Sequence, residues 1–81
     1  MTASKPTAEE LGEELDRTIE DFPWQTSGRG GGMFQVAIVR LRDAVWILVR
    51  LQDHPGVQVY SKHEWDCFLD GARRGEFDDL L

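Results

Sequence analysis

Apolar residues along this 81-residue chain recur with two periods, helical at the ends and strand-like in the middle. Ala8, Leu11, Leu15 and Ile19 are spaced by three and four, with mainly acidic residues between them. Thr7 and Glu10 stand at capping-box spacing ahead of that stripe, and Glu9 and Glu10 favour its first turn. The pattern predicts an acidic amphipathic helix over residues 7–21. It ends before Pro23, because the residue ahead of a proline avoids helical dihedrals. Gly12 costs that helix about 1 kcal/mol. The apolar stripe is narrow, so a loosely docked helix is expected.

The period then changes to two. Residues 33–40 are rich in β-branched and apolar side chains, with Phe34, Val36 and Ile38 on one face and Gln35, Ala37 and Val39 on the other. A turn at Leu41-Arg42-Asp43 leads to a second strand over residues 44–51. There Val45, Ile47, Val49 and Leu51 share one face, and Trp46, Leu48 and Arg50 the other. Both faces of this strand are apolar for much of its length: one should meet the C-terminal helix, and the second needs cover from the N-terminal helix or from another chain. Pro55-Gly56 marks the next turn, and residues 57–60 form a short third strand.

Ser61 closes that strand and opens a second helix as its N-cap, with Glu64 completing a capping box. Trp65, Phe68, Leu69 and Ala72 fall on one helical face. Arg73 and Arg74 suit the last turn, and Gly75 supplies a left-handed stop. Phe77 and Leu80 lie in an acidic tail expected to fold back onto the core. The whole reads as an α+β domain: a small three-stranded antiparallel β-meander with an N-terminal acidic helix and a C-terminal amphipathic helix. Residues 1–6 read as a disordered N-terminus, 7–21 as the acidic helix and 22–81 as the single small α+β domain.

Length sharpens this picture. A chain of this size buries only about 60% of its unfolded surface, and Cys67, its single cysteine, cannot form an internal disulfide. Association with another chain is therefore expected. The expected partner or dimer interface is the second apolar strand face with the helix stripe: Trp46, Leu48 and Arg50 with Leu11, Leu15 and Ile19. A lone cysteine, no apolar run near the ~18 residues of a membrane span and no hydrophobic leader in Met1-Thr-Ala-Ser-Lys-Pro6 together give a cytoplasmic expectation.

Charge is unevenly spread. Of the net −6, residues 1–21 hold Lys5 and Arg17 against seven carboxylates, while the remainder is nearly balanced. This argues against direct nucleic-acid binding, which needs a basic face, and favours a partner with one.

The candidate chemistry is sparse. The run Ser27-Gly-Arg-Gly-Gly-Gly32 exposes backbone N–H groups as a phosphate cradle would, but no Gly-Lys-Ser/Thr follows, and a loop is the better reading. His63 and Cys67 are one helical turn apart, yet structural zinc takes four ligands and only His54 remains, so neither metal nor cofactor is assigned. Asp66 and Asp70 read as solvated charges, and Ser61 as a cap rather than a nucleophile. Arg40, Arg42 and Arg50 on the hairpin could form a basic patch, and with His54 and His63 they supply the alternative reading: a small toxin-like nuclease or direct nucleic-acid binder. No catalytic residue and no small-molecule substrate are assigned.

Trp24, Ser27, the glycine run, Met33-Phe-Gln-Val-Ala37, Val49-Arg50, Asp53, Pro55-Gly56, Tyr60-Ser61, Glu64-Trp65, Phe68-Leu69, Gly71 and Gly75-Glu-Phe-Asp78 follow in an order that resembles a known family. These are the BldB-like small actinobacterial proteins (domain of unknown function number 397), associated with AbaA- and WhiJ-type regulators. The resemblance covers roughly residues 22–79 and is most specific from Glu64 to Asp78. The chain departs from the usual Cys-Val-Glu-Val-Ala at residues 33–37 and from Arg-Asp-Ser-Lys at residues 50–53, losing two charged positions. The resemblance implies a non-enzymatic accessory protein in transcriptional or developmental regulation. It implies self-association, as a homodimer, and a helix-turn-helix DNA-binding regulator as partner.

Overall fold

Both helices open on the capping box their sequences encode. In the computed structural model, which describes residues 5–27, 33–52 and 54–80, Thr7 Oγ1 accepts from Glu10 N at 3.1 Å and Glu10 Oε1 accepts from Thr7 N at 2.9 Å. Ser61 and Glu64 repeat the exchange at 3.1 and 2.8 Å. These start α1 (Ala8–Leu15) and α2 (Lys62–Arg73).

Both helices also end alike. Past α2, Gly75 takes φ +74°, and Glu76 N donates to Gly71 O at 2.9 Å. Past α1, Asp16 takes φ 55° and Arg17 N donates to Gly12 O at 2.8 Å. Each is a Schellman closure, with a left-handed residue satisfying the orphan carbonyls. The predicted helix over residues 7–21 therefore stops at Leu15. A separate 3-10 turn at Ile19–Asp21 carries the chain on to Pro23. Aspartate tolerates the left-handed region, so nothing in composition separates this Asp16 from a helical one. Gly12 also has a specific reason: a Cβ there would lie 2.6 Å from Arg17 O.

Among the described residues the sheet has four strands where the pattern predicts three: β1 (Gln25–Ser27), β2 (Phe34–Leu41), β3 (Ala44–Leu51) and β4 (Val57–Ser61), all antiparallel, in the order β1-β2-β3-β4. The meander topology is as expected, within an α+β fold. The added strand has three residues and no alternation to reveal it; its backbone pairing with Phe34–Val36 makes it a strand. The β2–β3 turn is Arg42-Asp43, closed by the pair Leu41↔Ala44, with Arg42 at φ 56°. The glycine run at 28–32 and residues 1–4 of the segment 1–6 expected to be disordered lie outside the described residues; Lys5, in the same segment, bonds Glu64.

Register sorts the side chains onto two faces. Ala37↔Leu48 and Val39↔Trp46 point to one side, and Phe34↔Leu51, Val36↔Val49 and Ile38↔Ile47 to the other. On the first side α1 lays Ala8 and Leu11 over Ala37, Val39 and Leu48, and Phe22 fills the gap beyond the helix. Leu11 and Leu48 are 0% exposed. The acidic helix thus supplies the core of the same unit as the sheet, and a division at residue 22 does not divide that core. On the second side lies α2, whose only buried residue is Gly71. Phe77 does fold back, but onto α2: a Cβ on Gly71 would meet its ring at 2.9 Å, and it stacks on Phe68 at 5.8 Å. Leu80, expected to reach the core, is 76% exposed.

Candidate interaction surface

The residues expected at an interface are packed within the chain itself, and of the two covers expected for this face, the N-terminal helix or another chain, the helix lies over it. Leu11 and Leu48 belong to the core cluster, and Leu15, Ile19 and Trp46 pack against it half-buried. Arg50 is held inside the same chain. Its Nε donates to Gln35 Oε1 at 2.8 Å, its Nη1 meets Glu20 Oε1 at 2.9 Å, and its guanidinium lies 4.1 Å from the centroid of Trp24. Trp24 in turn donates its indole N–H to Ile19 O at 2.8 Å. A planar cation stacked on indole with a bidentate partner is a well-organised clamp, and here it ties the 3-10 turn to β2 and β3. The apolar second face of β3 is real, but its cover is the chain's own N-terminal segment.

The uncovered surface is on the opposite side. Phe34, Ile38 and Leu51 on the sheet, and Phe68 and Phe77 on and beyond α2, all keep more than a third of their surface exposed, with Ile38 at 56%. A cleft of about 350 Å³ runs between helix and sheet, lined by Phe34, Val49, Tyr60, Glu64, Trp65 and Phe68. A separate, smaller depression is lined by Val36 and Ile38 with Pro23 and Gln25. Trp65, Phe68 and Phe77 form an aromatic ladder along its wall, with successive centroids 5.5 and 5.8 Å apart.

Geometry explains the asymmetry. A helix about 10 Å across covers about two strands spaced about 4.8 Å apart. On the first face Phe22, Trp24 and the 3-10 turn cover what α1 cannot. On the second face α2 lies over β3 and β4, and the described residues offer no equivalent above β1 and β2. Sequence reasoning placed the two helices well enough, but without β1 it undercounted the strands they had to cover. The signal was present as the same-face run Phe34, Val36 and Ile38, which is too long for one helix already docked on β3 and β4.

Electrostatics at the cleft centre on Glu64. Its carboxyl sits below its ordinary value of 4.5, chiefly because Lys5 Nζ hydrogen-bonds Oε1 at 2.6 Å, and further because the Ser61 N–H does so. Lys5 also lies 5.4 Å from the Tyr60 ring centroid, so the segment ahead of α1 is tied across to the α2 side.

The remaining candidate chemistry is dispersed. Arg42 pairs with Glu14 at 3.2 Å and Arg50 with Glu20, so two of the three hairpin arginines face carboxylates rather than forming a patch with Arg40. His63 Nε2 and Cys67 Sγ lie 3.7 Å apart on the exposed side of α2, while His54 lines a polar cleft with Gln35, Arg50 and Gln52. Among the described residues no three His, Cys, Asp or Glu side chains gather as metal ligands, and no helix is long and apolar enough to cross a membrane. Asp66 and Asp70 pair along α2 with Lys62 and Arg74.

Fold and surface together define a small α+β unit whose sheet is closed on one face and half-covered on the other. No protein-family model, no curated protein and no solved structure matches the chain.

Proposed function

We propose that this protein is a non-enzymatic interaction module that receives another polypeptide on the half-covered face of its sheet. The observation that carries the reading is the continuous apolar surface from Ile38 through Phe34 to Phe68, in a domain whose other face is sealed. Contiguous exposed apolar surface of this kind marks sites of protein association. The order of residues resembling the BldB-like proteins supplies the context: cytoplasmic transcriptional or developmental regulation, with a helix-turn-helix DNA-binding regulator or a second copy of the chain as the binding partner.

Light scattering over a dilution series, combined with a pull-down of a helix-turn-helix regulator encoded beside the protein, tests this. Self-association or retention of the regulator is expected, and Ile38→Glu should abolish whichever is seen. A chain that stays monomeric and retains no regulator, yet shifts RNA or DNA in a gel at low salt, would replace this reading with the nucleic-acid one.

A further inference from the structure

We draw no further inference here: the strongest candidate, the apolar groove between α2 and the outer half of β2, carries nothing beyond the interaction reading already given, because nothing in the structure shows what covers it.

Discussion

The two faces of the sheet are built from equally apolar strands and end in opposite states. On the α1 side, Leu11 and Leu48 are fully enclosed, and the segment from Ile19 to Trp24 extends the cover sideways. On the α2 side, Ile47 is enclosed at 1% exposure while Ile38, its pairing partner on β2, is 56% exposed. Composition does not distinguish the two faces. The amount of chain available to lie over each one does. Apolar content therefore says that a surface needs cover, and topology says whether the chain supplies it.

The strongest way to break this contrast is to delete the same kind of side chain from each face. Leu48→Ala should cost about 2–5 kcal/mol, comparable with the whole stability of so small a domain. Ile38→Ala should cost less than about 1 kcal/mol. Urea melts followed by circular dichroism check both, and similar losses would mean that the open face is covered after all. Next in size is Gly12→Ala. The added carbon meets a backbone carbonyl at 2.6 Å, so the Arg17 turn must move, at about 1–3 kcal/mol. Gly56→Ala, with nothing within 4 Å, should be nearly silent in the same melt.

Arg50→Lys sharpens the comparison from the closed side. Lysine keeps the charge but loses the fork to Glu20 and Gln35 and the flat stack on Trp24. A loss of about 1–2 kcal/mol is expected, with a change in Trp24 emission. Asp16→Gly should run the other way and add about 0.5–1 kcal/mol, since glycine adopts the left-handed closure without strain.

The smallest effect belongs to Glu64 on the open side. Its carboxyl is depressed in the folded state, so its contribution is present above the unfolded value and is lost as pH falls through the folded one. Stability should therefore decline as acid passes below about pH 4.5, the ordinary value. Glu64→Gln should flatten that decline. An unchanged acid limb in the variant would assign the loss to other carboxylates.

Much of this fold was legible in residue order, because the signals were local. The Ser61–Glu64 box, the Gly75 stop, the faces of β2 and β3 and the Arg42-Asp43 turn each depend on neighbours a few residues apart. Three features were not legible for the same reason. The three residues of β1 become a strand only by pairing with β2. Asp16 ends α1 by a backbone angle its side chain does not announce. The choice of which face α1 seals is a matter of three-dimensional coverage, so Leu48 and Leu11 read as an interface when they are buried, with Trp46 packed half-buried against them. The open groove depended on that same tally of strands and helices.

The three tryptophans divide the molecule among them. Trp46 packs against the sealed core, Trp24 lies under the Arg50 guanidinium, and Trp65 lines the open cleft. Replacing the first two by phenylalanine leaves one emitter whose wavelength and quenching follow what enters the groove. If the open cleft takes a partner as proposed, Trp65 would report its occupancy, and titrations could be read without attaching a dye.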